Sequence, residues 1–208
     1  ALAPALPAQV PAAHKGDMGG YAIFGMNSKT GRRYVCQNIV GGGWGGRPFE
    51  DGVSSAVSMC QGDVKNTPIE LQELYYPLLY KCHEFRTDSG GAGKFRGGVG
   101  VEIKVKPLEN FFLSRNTDRI KCPPWGLLGG AEGAVNETRI ERNGNEEVLP
   151  GKFSHLLVHP GETVTFFTAG GGGYGDPAER DAAAVMRDVE LGYVSAECAT
   201  RDYPAGLK

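Results

Sequence analysis

Glycine falls in blocks along this chain: GGGWGGRP at 41–48, DSGGAGKFRGGVG at 88–100 and GGGGYGDP at 170–177. The 32 glycines among 208 residues are about twice the ordinary share of ~7%. No Gly-X-Y period runs through them, which excludes a collagen helix. Glycine tolerates positive φ and lets one backbone approach another, so such blocks imply tight turns and closely packed segments between well-formed strands. A phosphate cradle is the competing explanation, because successive backbone N–H groups at a helix N-terminus can face an anion. Neither GGGWGGRP nor GGGGYGDP matches G-x-x-x-x-G-K-[ST], or G-x-G-x-x-G between a strand and a long helix. GGGGYGDP does precede a helical stretch, so an anion site stays open there.

Between the blocks the period is mostly two. Residues 21–40 alternate around the turn NSKTGR and predict a hairpin. Val101, Ile103 and Val105 alternate with Glu102, Lys104 and Lys106, the clearest strand in the chain. Leu78–Phe85 is apolar enough for a buried strand, and 111–114 and 138–142 are further candidates. The last of these turns at Asn143-Gly144 and returns through Val148 and Leu149. Residues 155–158 and 162–168 flank Pro160-Gly161 and predict another hairpin. Pro68 followed by Glu70 and Glu73 predicts a short helix that ends before Pro77. Past residue 177 the period turns helical, with Val185, Met186 and Val189 on one face and Ser195 as cap of a second helix. The expected fold class is α+β: a strand-rich body with glycine loops over 21–177, and a helical tail over 178–208 packed on it. The Pro/Ala-rich residues 1–20 are expected to be a linker or strap.

Charge and composition narrow the function. A formal net charge of −2 gives no electrostatic reason for nucleic acid or an anionic membrane as partner. No apolar run approaches the ~18 residues a spanning helix needs, and no basic n-region precedes the opening stretch. The chain does not begin with Met, and we expect it to start inside a longer protein. Cys36, Cys60, Cys82, Cys122 and Cys198 are odd in number, widely spaced and without a C-x-x-C pair. Reduced, mostly buried thiols in a cytoplasmic protein fit that pattern better than a disulfide framework or zinc knuckle.

No complete catalytic constellation is visible. His14, His83, His155 and His159 form no H-x-H, H-x-x-x-H or H-E-x-x-H pattern, so no metal site is expected within this chain. The candidate loop is 83–98, where Arg86, Asp88, Lys94 and Arg96 surround flexible glycines. Those groups could contact substrate or a subunit interface, or form an Arg–Asp pair that only shapes the loop. Asn66, Glu70 and Glu73 make a second polar set, suited to general-base or metal chemistry or simply to the helix dipole.

Residues 66–102, 126–130 (GLLGG) and 168–203 carry a resemblance. Its most specific parts are Asp88-Ser89-Gly90-Gly91-Ala92-Gly93 with Arg96-Gly97-Gly98, and 170–177 followed by Glu179-Arg180-Asp181. In these stretches the chain resembles the C-terminal half of B-type subunits of the hydantoinase B/oxoprolinase family. The resemblance implies part of an ATP-dependent cyclic-amide hydrolase of the hydantoinase, oxoprolinase or lactamase type. A subunit of an acetone- or acetophenone-type ketone carboxylase is the alternative, and a non-catalytic structural or assembly segment the third. It also implies partners: the N-terminal half of the same subunit, holding a divalent metal, and an A-type ATPase subunit that binds ATP. The substrate would be a small cyclic amide or ketone. With the metal ligands expected upstream, the 208-residue piece alone is expected to be inactive.

Overall fold

A computed structural model describes residues 5–58 and 64–204. Cys60, the first four residues of the Pro/Ala stretch and the last four of the tail lie outside these. Among the described residues nine strands form two antiparallel sheets: β1 (Gly20–Asn27), β2 (Arg32–Ile39), β3 (Leu78–Phe85), β4 (Val101–Pro107), β5 (Phe111–Asn116), β6 (Glu137–Arg142), β7 (Asn145–Val148), β8 (Lys152–Val158) and β9 (Thr163–Phe167). One sheet has the order β2-β1-β5-β8 and the other β3-β4-β9-β6-β7. Their inner faces meet over Ile23, Leu78, Val101, Ile103, Val105, Phe111, Leu113, Ile140, Val164 and Phe166. Tyr21 stacks on Phe166 across the gap. Alternation puts these side chains inside, and β4 shows it without interruption, its odd-numbered residues buried and its even-numbered ones half-buried.

Three expectations change. Residues 155–158 and 162–168 are not a hairpin: β8 pairs with β5, whereas β9 pairs with β4 and β6. The turn at Pro160-Gly161 is an arch between sheets, because Val158 and Val164 both point into the interior that the sheets share. Leu78–Phe85 is an edge strand, exposed at half of its residues with only Leu78 buried, not a buried strand. In the tail, α2 (Ala182–Glu190) buries Val185 and Asp188 while Met186 is exposed. The remaining helices are α1 (Ile69–Tyr75) and α3 (Ala196–Asp202). Ser195 caps α3 by accepting from Cys198 N–H, and Asp181 caps α2 by accepting from Ala184 N–H.

The glycine blocks build a second core beside the sandwich. Residues 170–173 run through its middle. Their N–H groups donate in turn to Ala134, Gly98, Ala13 and Ala131 carbonyls. The first and last of these acceptors sit three residues apart on one neighbouring segment. On the acceptor side, Ala169 and Gly172 receive Gly43 and Gly46, again three apart. A bonding direction that recurs every third residue is the period of polyproline II, not the period of two of a strand. Each segment can therefore bond several neighbours around its axis. The axis is crowded: a Cβ on Gly171 would lie 1.9 Å from the Trp44 carbonyl oxygen, and one on Gly172 2.0 Å from that of Trp125.

The stretch expected as linker or strap contributes to this bundle. Ala12 N–H donates to Gly46, Ala13 to Trp125 and Lys15 to Gly43. Lys15 is fully buried with its ammonium 3.2 Å from Asp17 Oδ1. Asp17 Oδ2 also accepts from Thr117, Asp118 N–H and Asn136. A buried ion pair is tolerated because its remaining lone pairs are satisfied in this way.

Candidate functional site

The glycine blocks are not phosphate cradles. The N–H groups of 170–173 all go to protein carbonyls, and those of Gly43, Trp44 and Gly46 do the same, while Gly45 donates to His14 Nδ1. None of these donors is left for an anion. The residues present therefore do not fit a nucleotide at either block.

The loop at 83–98 is divided among separate tasks. Arg86 donates to the Val135 and Thr168 carbonyls and lies over the Phe167 ring. Asp88, at φ 61°, accepts from Ser195 N–H at 2.7 Å, which ties the loop to the start of α3. Its carboxylate holds a backbone amide, not an arginine. Lys94 pairs at the surface with Glu179, 3.0 Å away. Arg96 turns inward, stacks on Tyr193 and meets Asp188 at 3.3 Å. Arg180 grips Asp51 with both terminal nitrogens, at 2.7 and 2.8 Å, and Asp188 at 2.6 Å. Burial opposes the charge of Arg180, but Asp51 and Asp188 outweigh it and raise its pKa. Burial likewise opposes the Asp51 carboxylate, and the Arg180 contact with Arg96 nearby draws its pKa below the ordinary range. This box clamps the helical tail to the glycine bundle. Asp51, Arg180 and Asp188 were not among the site residues expected from sequence, since Asp51 stands 129 residues from Arg180 and nothing local marks their meeting.

The second polar set does not converge either. Asn66 uses its side-chain amide as a short strand, accepting from Ile39 N–H and donating to Ile39 O. Glu70 lies exposed in the first turn of α1, and Glu73 accepts from Tyr80 N–H at 2.7 Å. A residue between them carries the site. Gln72 is buried, and its Oε1 accepts from Tyr80 at 2.6 Å, Asn38 at 2.9 Å and Cys36 at 3.0 Å. Its Nε2 donates to Asn38 Oδ1 and Thr67 O. Asn38 reaches Tyr21, whose hydroxyl stands 3.1 Å from that of Tyr80.

This network lines a cavity of about 360 Å³ between the sheets, walled by α1 and the residues leading into it. A bulge shapes it. Pairing of β3 with β4 slips between Tyr80 and Cys82, so Tyr80 and His83 face inward opposite Val105 and Ile103. Burial pushes the Tyr21 phenol up to about 12 and the Cys36 thiol up to about 11, and it raises Tyr80 as well. These groups are neutral hydrogen-bonding groups at neutral pH, not bases or nucleophiles. His83, at the mouth, has its pKa lowered by burial. On the outer face of the same hairpin Cys82, Glu84 and Glu102 have ligand atoms within 4.8 Å of one another. Lys104 holds Glu102 at 2.6 Å, and burial raises the Cys82 thiol, both of which work against a metal there. Among the described residues Cys36, Cys82, Cys122 and Cys198 are free, and of these only Cys36 is buried, fewer than expected. Among the described residues no helix is long and apolar enough to cross a membrane.

The comparisons with known proteins agree on one family. Its profile, Hydantoinase B/oxoprolinase, matches residues 1–177. An uncharacterised protein of Methanocaldococcus jannaschii is 40% identical over 95% of this chain and 34% of its own length. The B-type subunit of a putative D-/L-hydantoinase from Pseudomonas is 33% identical over 98% of this chain and 34% of its own length. The crystal structure of ATP-dependent caprolactamase from Pseudomonas jessenii superimposes with a TM-score of 0.85 at 30% identity, covering all of this chain and 37% of that one. Nucleotide-free acetone carboxylase shares the fold, with a TM-score of 0.76 at 20% identity over 92% of this chain and 30% of that one. The chain thus spans about a third of the length of these relatives, less than the half expected from the resemblance. It belongs to the hydantoinase B/oxoprolinase family.

Proposed function

We propose that this chain is the C-terminal part of the B-type subunit of an ATP-dependent cyclic-amide hydrolase. The observation that carries the proposal is its near-complete alignment, at 33% and 30% identity, with the B-type component of a putative hydantoinase and with caprolactamase. Both names describe enzymes of ring amides. The carboxylase alternative has the fold of acetone carboxylase behind it at lower identity. In the proposal ATP is bound by an A-type partner and a divalent metal by the upstream part of the same subunit. No step is assigned to either group within this chain, whose amides at 43–46 and 170–173 are already bonded. What the chain supplies is a wall: a sandwich with a neutral polar pocket, beside a glycine bundle locked to the tail by Arg96, Arg180, Asp51 and Asp188.

The test is turnover by the full-length protein with its ATPase partner. Hydantoin, 5-oxoproline and caprolactam are assayed for ATP-dependent ring opening, and acetone with bicarbonate for carboxylation. Ring opening is expected, with none from the 208-residue piece alone. Carboxylation without any ring opening would favour the alternative, and neither activity would leave a structural segment.

A further inference from the structure

The Gln72, Asn38, Tyr21 and Tyr80 wall of the pocket between the sheets has spent almost all of its own donors. Gln72 Nε2 gives its hydrogens to Asn38 Oδ1 and Thr67 O. Tyr80 gives its proton to Gln72 Oε1, which leaves Tyr21 to donate to Tyr80 across 3.1 Å. The Asn38 amide nitrogen lies within reach of Gln72 Oε1 and both phenolic oxygens. Unused capacity on this wall is acceptor capacity, on the Tyr21 oxygen and Asn38 Oδ1. At the mouth the bulge turns in His83, whose ring in its neutral form offers one N–H and one acceptor. Among the described residues no carboxylate, lysine or arginine lines the space.

We infer that this pocket binds a small neutral molecule with an N–H donor beside a carbonyl, such as a ring amide. His83 donates to the carbonyl, and the Tyr21–Asn38 wall accepts from the N–H. An ion would shed its water here without a counter-charge. A hydrocarbon would leave the acceptors unpaired. At about 360 Å³ the space is at the small end of ligand pockets. The inference deepens the reaction proposed above and rests on it for the choice of a ring amide.

The test is calorimetric titration of the full-length protein with 2-pyrrolidinone, without ATP. Saturable binding is expected. N-methyl-2-pyrrolidinone, which keeps the carbonyl and loses the N–H, should bind about tenfold or more weakly. His83→Leu should cost a similar factor, and His83→Gln, which restores an amide donor, should stay within about threefold of wild type. His83 keeps one side of the pocket mouth open to solvent, and thermal melts verify that both variants fold. Equal affinity for the methylated probe, or unchanged affinity in His83→Leu, overturns the inference. So does an absence of 2-pyrrolidinone binding, which would mean that other polypeptide fills the pocket in the intact protein. Binding without turnover of any ring amide would retire the proposed reaction and keep the pocket. Turnover with unaltered binding in His83→Leu would do the reverse.

Discussion

The sandwich and the glycine bundle are two interiors built on different principles. In the sandwich, alternate side chains meet between sheets and the backbone hydrogen bonds lie in the sheet planes. In the bundle, backbones meet one another and hydrogen bonds radiate every third residue. The first is held mainly by removal of hydrocarbon from water. The second depends on every peptide group finding a partner in a space that excludes water. The difference is one of tolerance: a packed side chain can lose a methyl group and its neighbours relax, whereas a packed peptide cannot give way to a new atom without moving a whole segment.

That contrast can be broken most directly at Gly171. Gly171→Ala would set its methyl 1.9 Å from the Trp44 carbonyl oxygen. The expected loss exceeds about 4 kcal/mol, in the range where single substitutions are exceptional. Ile140→Val, fully buried in the sandwich, should cost only about 1 kcal/mol. Urea unfolding midpoints at constant m-value measure both, and comparable losses would erase the distinction.

The clamp between bundle and tail comes next. Asp188→Ala removes a carboxylate shared by the buried Arg96 and Arg180 and should cost about 3 kcal/mol. Asp88→Ala removes one hydrogen bond to Ser195 N–H and should cost about 1 kcal/mol. If Asp88→Ala proved the more damaging of the two in the same urea series, the tail would be held by its loop rather than by the ion-pair box.

The smallest effect is a pH dependence. Burial, then the charge of Arg47, lowers the pKa of His14, while burial alone lowers that of His83. For a cation with a depressed folded pKa, the unfolded chain binds more protons between the folded value and the unfolded ~6.5. Stability should therefore fall as the pH drops below about 6.5. His14 has more to lose, because its Nδ1 accepts from Gly45 N–H at 2.7 Å and protonation breaks that bond. Thermal melts from pH 7.5 to 5 should show His14→Gln flattening the slope more than His83→Gln. The opposite ranking would place the sensitivity in the sandwich.

How much of this was legible in the sequence followed the period. The β1–β2 hairpin and β4 were plain because alternation of two is written in side chains. Pro68 and Ser195 marked the starts of α1 and α3. The arch between β8 and β9 was hidden because a tight turn looks alike whether its strands pair or part. A period of three carried by glycine leaves no side-chain trace, so the blocks suggested close packing without its geometry. In the candidate loop at 83–98 Arg96 found Asp188 rather than Asp88, because the partner comes from a helix far along the chain. Gln72 escaped notice between Glu70 and Glu73, because a glutamine gains meaning only from Asn38, Tyr21 and Tyr80, which other elements bring to it. Cys82, Glu84 and Glu102 likewise became neighbours only through the pairing of β3 with β4.

A core made of peptide groups also changes how stability responds to temperature. Melting the sandwich wets hydrocarbon, which raises heat capacity by ~0.45 cal/K/mol per Å², whereas opening the bundle wets amides, which lower it by ~0.26. Side by side in one cooperative unit, the two interiors pull the heat-capacity increment in opposite directions. Segments 42–46, 97–100 and 170–173 thereby flatten the dome of free energy against temperature. The chain loses less of its margin on either side of its temperature optimum than a sandwich of the same length would.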